Sequence, residues 1–550
     1  MITPTERFFR LLAPHSKAVT HLYTFAILSG IVALTLPLGI QAIINLIQGG
    51  EISAAWVLLI IVVLFGYSFN GMMQIFQLRI TENLQKDIFT KSAFEFTFRI
   101  PRIKMSALHN QYAPELMNRF FDTISIQKGI SKVLIEFSTS ALQIIFGLIL
   151  LSFYHPFFII FSVILIIISF IIGVYLFQRG LKSSLTESKH KYKVAFWLEE
   201  LARTNTTFRL TSNSMLPLRR TDELVDAYLH ARESHFRILL RQYYLFIAFK
   251  ILIAAAFLFL GGILVFNQQM NIGQFVAAEI IVLLLISSSE KLLLTLEVVY
   301  DLLTSIEKVG QVTDLELEED SGIEMDTTQN NGVAVTVKEV SFKYPDAQEY
   351  IIQNCNLEIA AGEKVCLTGE HGSGKSTLLS LMTAFYEPDQ GTIAYDGLPI
   401  KNYNISLLRN QIAECISEDS IFAGTLLENL TLGKHIETDR VKEVCQMLGL
   451  SDFLIESQAG LNTMLGPTGR KLSRSLTKKL ILARSILKKP KLLIMDDFFS
   501  DLDNSEKEHL LECILSPVHP WTLIVNTSDP DLIKKFDRVI YMSKGNVVSD

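Results

Sequence analysis

The sequence predicts an α-helical membrane domain of six transmembrane helices followed by an α/β P-loop nucleotide-binding domain. Three observations carry this reading. The 550-residue chain is 49% hydrophobic with a mean hydropathy of +0.33, too apolar for an ordinary water-soluble enzyme. Its long uncharged runs fall in the first half. In the second half, Gly369-Glu370-His371-Gly372-Ser373-Gly374-Lys375-Ser376 reads G-x-x-x-x-G-K-S, after a strand-like stretch at 363–368 and before a helix-like one at 377–382.

The spans come first in the chain. Residues 21–47 and 53–78 contain no Asp, Glu, Lys or Arg. Residues 137–178 form a further uncharged run of 42, with Tyr154-His155-Pro156 near its middle. A helix needs about 20 apolar residues to cross a bilayer, so this run is two spans and a tight turn. Residues 242–266 and 274–289 supply two more, interrupted by Lys250 and Glu279. Charges at membrane depth are costly and point to a functional cavity, unless they snorkel to an interface. Pro37, inside the first span, predicts a kink.

The loops set the orientation. The connections at 48–52, 154–156 and 267–273 carry no Lys or Arg, whereas 179–241 carries twelve and 79–132 is also rich in them. The positive-inside rule places the long loops and both termini in the cytosol. Within those loops, 81–89 and 222–229 space apolar residues by three and four, so the spans are expected to continue as helices into the cytosol. About 18 mixed residues precede the first span, from which neither a cleavable signal nor a leader-processing peptidase domain is expected. The expected domains are 1–312 (transmembrane), 313–332 (an acidic and polar linker) and 333–550 (nucleotide-binding).

All five cysteines lie in the second half, in spacings that match no zinc or disulfide pattern, and read as reduced core residues. The P-loop glycines let backbone N–H groups turn inward around a phosphate. Lys375 can reach the β- and γ-oxygens, and Ser376 can offer its hydroxyl to Mg²⁺. Further on, Lys491-Leu492-Leu493-Ile494-Met495-Asp496-Asp497 is an apolar strand ending in two carboxylates, with Asp496 placed to hold Mg²⁺.

Six spans with cytosolic extensions, then a P-loop domain, resemble the ATP-binding cassette (ABC) exporters over nearly the whole chain. The resemblance implies ATP and Mg²⁺ as cofactors and a half-transporter that works as a homo- or heterodimer. It also implies a multi-pass protein of the bacterial inner (cytoplasmic) membrane, with lipids and an unidentified transported substrate as partners and no nucleic acid. By resemblance, Tyr344 stacks on adenine, and Gly369, Gly372, Ser373, Gly374, Lys375, Ser376 and Thr377 form the phosphate loop. Asp496 is the metal-holding aspartate, Ser500-Asp501-Leu502-Asp503 is the D-loop, and the segments near 101–107 and 206–212 are coupling helices that meet the cassette near 417–422.

The departures from the family pattern are as informative. The signature, usually L-S-G-G-Q, reads Leu472-Ser473-Arg474-Ser475-Leu476, which keeps Ser473 for the partner's nucleotide and loses both glycines. Asp497 replaces the catalytic glutamate, Ser528 the switch histidine and Ser417 the Q-loop glutamine. ATP binding is therefore expected to persist while hydrolysis slows. The alternatives are a catalytically weak ATP-binding regulator, or a non-hydrolysing subunit of a larger assembly. A soluble P-loop enzyme on an anchor is disfavoured, since an anchor needs one span.

Overall fold

The computed structural model describes residues 2–48, 54–109, 111–211, 214–326, 331–416, 421–457, 459–469 and 471–549, with the backbone alone described at 165, 168–176, 416, 468 and 549. Ser417 and Ser212 lie outside these. The chain forms two compact units, Met1–Pro101 with Tyr112–Leu315, and Arg102–Gln111 with Glu316–Asp550.

Among its described residues the first unit is built of helices joined by short turns. Among the described residues five stretches are long and apolar enough to cross a membrane: Pro4–Gln48, Ala54–Arg102, Ala113–Ser152, Leu216–Phe266 and Ile272–Thr313. The remaining expected span lies in helix Pro156–Arg203, part of which is described by backbone alone. Helices Ala54–Arg99 and Leu216–Phe266 have 46 and 51 residues. At ~1.5 Å per residue they are roughly 70 Å long, over twice the hydrocarbon thickness, so each carries a long polar extension. Phe65 (70%), Ile75 (65%) and Phe259 (69%) are exposed on these helices, as a lipid-facing surface requires.

Local chemistry explains the breaks. The first span divides at Leu34 into Ser16–Ala33 and Thr35–Gln48. Pro37 has no N–H to give the carbonyl of Ala33, and its ring crowds that carbonyl, so the kink sits one turn upstream of the proline. The turn at 153–155 separates Ser138–Ser152 from Pro156–Arg203, whose first turn is capped by the His155 ring accepting from the Phe157 N–H at 3.2 Å. Lys250 pairs with Glu290 of the neighbouring helix at 3.6 Å, both half exposed on a cavity of about 620 Å³. Glu279 is half buried, and has no ion-pair or hydrogen-bond partner among the described residues.

The second unit is α/β. A six-stranded sheet runs in the order Asn546–Ser549, Arg538–Ser543, Lys364–Gly369, Thr522–Asn526, Leu492–Asp496, Ile412–Ile416. The last five of these strands are parallel and Asn546–Ser549 is an antiparallel edge. Parallel strands covered on both faces must be apolar throughout. Leu492 to Met495 and Leu523 to Val525 accordingly have almost no exposure. One face carries helix Arg474–Leu487, and the other carries the P-loop helix Lys375–Met382 and a four-stranded antiparallel sheet. All five cysteines are free, four of them buried, and burial pushes the Cys366 and Cys445 thiols up to about 11.

The segment after Leu315 is bonded into this second unit. The Glu318 N–H donates to the Arg102 carbonyl at 2.8 Å, and the Lys104 N–H to that of Glu316 at 3.0 Å. Arg409 reaches Glu318 at 2.5 Å while donating to the carbonyls of Thr383 and Ala384.

Candidate nucleotide-binding site

In a parallel sheet the strand order brings functional loops together at the carboxyl ends. Strand Lys364–Gly369 delivers the P-loop, Leu492–Asp496 delivers Asp496 and Asp497, and Thr522–Asn526 delivers the stretch holding Ser528. The last two strands are direct neighbours with Asn526 opposite Asp496, and Asn526 lies opposite Leu367 of the P-loop strand. The Asn526 amide donates to the Asp496 carboxylate, and the Thr527 N–H donates to the Leu367 carbonyl at 3.2 Å. One edge of the sheet therefore gathers the P-loop, both carboxylates and Ser528.

The P-loop is shaped by backbone that only glycine adopts cheaply. Gly369 has φ of 143° and Gly374 has φ of 97°. A side chain at Gly369 would strike the Met542 carbonyl oxygen at 2.1 Å. Lys375 opens the helix Lys375–Met382 and is buried. Its ammonium donates to the carbonyls of Gly369 (2.9 Å) and Glu370 (2.7 Å) and to the Ser373 hydroxyl (3.2 Å). Burial holds this ammonium below its ordinary pKa, and Asp496 pulls the other way. A buried lysine at a helix N-terminus inside a glycine turn is a binding site for a polyanion. Above Gly372 a Cβ would meet nothing within 4 Å, so the loop is open to a phosphate there. The exposed Ser376 hydroxyl and the Asp496 carboxylate are hard oxygen donors and few in number. That donor set suits Mg²⁺, which takes one or two protein ligands and completes its shell from phosphate and water.

Tyr344 lies on the same side, its hydroxyl 3.3 Å from that of Thr377. Phe342 and Tyr386 meet its ring edge to face, each with centroids 5.2 Å away. Asp497 is exposed, with φ of 46°, and its N–H donates to the Asn526 carbonyl at 3.1 Å. Ser528 is exposed, with no hydrogen-bond partner among the described residues.

Ser473 caps helix Arg474–Leu487, accepting from the Leu476 N–H at 3.1 Å. Its neighbours are tied to the D-loop region: Arg474 to Asp501 at 3.4 Å, and the Ser475 hydroxyl to Glu506 at 2.6 Å. Asn526, Tyr386 and Lys478, which donates to the Phe498 carbonyl at 2.6 Å, are site or support residues that the sequence reading did not single out. Only Asn526 carries a signal, as the polar end of an apolar strand.

Two family models meet in this chain. The one described as the ABC transporter transmembrane region matches residues 22–289, and the one described as ABC transporter matches 352–500. The chain belongs to the ABC transporter family.

An ATP-dependent lipid A-core flippase of Burkholderia orbicola is 29% identical over 52% of this chain and 48% of that protein. The exotoxin translocation ATP-binding protein PaxB of Pasteurella aerogenes is 30% identical, over 53% of this chain and 41% of its own. The ABC-type transporter kk1G of Curvularia clavata is 32% identical over 40% of this chain and 17% of its own. These matches thus span about half or less of each relative's length. A solved bacterial Atm1-family ABC exporter with ATP bound superposes with a TM-score of 0.83, covering 97% of this chain and 94% of that one at 17% identity. The fold is that of an ABC exporter, the chain is an integral membrane protein, and its cassette is an ATP-binding domain.

Proposed function

We propose that this chain is one half of an ABC exporter that binds ATP at the P-loop, hydrolyses it slowly, and couples that cycle to export of a substrate across the membrane. The observation that carries the reading is the convergence of Lys375, Asp496, Asp497 and Ser528 on one sheet edge. Lys375 and the loop N–H groups hold the phosphates, and Tyr344 stacks on adenine. Ser376 and Asp496 hold Mg²⁺, which would neutralise charge on the phosphates. Asp497 stands where a general base would accept a proton from water. Its carboxylate is drawn back by one C–C bond relative to glutamate, about 1.5 Å. Ser528 offers a hydroxyl where an imidazole would be a rigid donor to the γ-phosphate.

The relatives are named for a lipid flippase and an exotoxin translocator, so the proposal stops at export and names no cargo. Two measurements on purified protein test it. Lys375→Ala should abolish nucleotide binding, and unchanged affinity would remove the P-loop assignment. Phosphate release that stays undetectable when binding is saturated would favour a regulator, which the short Asp497 and the missing imidazole also support.

A further inference from the structure

Tyr344 already has a stacking partner. The imidazole of His109 lies parallel to it, with centroids 5.0 Å apart and planes 6° from coplanar. No other ring among the described residues lies parallel to Tyr344, because Phe342 and Tyr386 meet it at 79° and 86°. Those edge-on contacts brace the tyrosine, and its remaining planar contact is with a residue more than two hundred positions away in sequence. His109 follows the four-residue helix Met105–Leu108 and belongs, with residues 102–111, to the second unit.

We propose that His109 is a further residue of the nucleotide site. Its imidazole takes the place of the base on Tyr344, so that adenine binding and the present position of His109 exclude each other. The inference rests on reading Tyr344 as the adenine-stacking residue. Three features support it. Adenine contains a fused imidazole, so the two rings offer tyrosine the same kind of planar π-face. Stacked rings are in van der Waals contact, so no third ring fits between Tyr344 and His109. The imidazole is exposed and has no hydrogen bond or ion pair among the described residues, so leaving the tyrosine forfeits only the stack.

The segment that carries His109 is anchored elsewhere. Ile103 bridges Leu317, and the Lys104 ammonium lies 2.5 Å from Glu316. A base arriving on Tyr344 therefore displaces the imidazole without releasing the segment. ATP, but not a bare phosphate chain, then acts on a loop that the sequence places between two membrane-spanning helices.

The test uses the full-length chain in lipid nanodiscs with Mg²⁺, and two probes, ATP and inorganic tripolyphosphate. His109→Ala should tighten ATP binding roughly 2- to 10-fold, the range of one aromatic stack, and leave tripolyphosphate affinity unchanged. His109→Phe keeps a ring on Tyr344 and should not tighten ATP binding. In a Tyr344→Ala background, His109→Ala should have no effect on ATP. Weaker or unchanged ATP affinity in His109→Ala overturns the inference, as does an equal change with tripolyphosphate. Failure of the underlying reading looks different: Lys375→Ala would then leave ATP affinity intact, or Tyr344→Ala would do so in a His109→Ala background.

Discussion

Asp497 is the residue on which turnover is expected to hinge. It has φ of 46°, a left-handed conformation in which aspartate is several-fold enriched over most side chains. Its side chain is one methylene short of a glutamate, and a misplacement of ~1 Å can cost ~10²-fold in rate. Combining Asp497→Glu with Ser528→His should therefore raise phosphate release, by up to about 10²-fold. Steady-state turnover of the purified protein checks this. An unchanged rate would place the limit in Arg474 and Ser475 of the signature, or in Ser417. Binding responds to a different residue. Tyr344→Ala removes base stacking worth ~1–3 kcal/mol, offset by the His109 stack that it also removes, and should raise the dissociation constant for ATP by the difference, with little effect on tripolyphosphate. Direct nucleotide titration separates the two residues, because the Asp497 and Ser528 changes should leave affinity nearly constant.

At the scale of elements, the acidic stretch after the last membrane helix is a structural part of the second unit. Arg409 holds Glu318 at 2.5 Å, two carbonyls at the end of the P-loop helix, and the Phe385 ring face at 4.8 Å. Both charged groups are largely buried, so Arg409→Ala strands the Glu318 carboxylate and leaves two carbonyls without their donor. A loss of about 2 kcal/mol is expected, read as a lower unfolding temperature of the full-length protein, with Arg409→Lys recovering only part. The sequence made the strand–loop–helix of the P-loop legible because glycine spacing and an apolar strand are local signals. The membrane helices were legible because length and the absence of charge are local too. The roles of Glu318, Arg409 and His109 were not legible. Each depends on a contact between segments at least ninety residues apart, and a polar residue in a loop has no periodicity to announce its partner. Glu318 read as one charge in an acidic linker, although its carboxylate is largely buried against an arginine. Lys250 read as a lone charge in an apolar run, until the adjacent helix supplied Glu290.

At the scale of the whole molecule, the proposed dimer fixes how the altered residues combine. Each ATP would lie between one chain's P-loop and the other's signature. In a homodimer both sites contain Asp497, Ser528 and a signature with Arg474 and Ser475, so both are weakened alike. In a heterodimer with a standard partner the defects divide. One site takes this chain's P-loop, Asp497 and Ser528 with the partner's signature. The other takes the partner's glutamate and histidine with this chain's Leu472 to Leu476. Neither is fully standard, so pairing restores hydrolysis only in part. A general base contributes ~10²–10⁴-fold, and its misplacement slows turnover while the phosphates stay bound. ATP should then close the dimer and hold it closed longer than in an exporter with glutamate and histidine in place. The measurement is the lifetime of the ATP-closed state, read from paired spectroscopic labels on the two cassettes. The expected outcome is a long lifetime that shortens in the Asp497→Glu, Ser528→His double variant. Turnover of the unmodified protein within the usual enzyme range of about 1–10³ s⁻¹ would show that the altered residues do not slow the site.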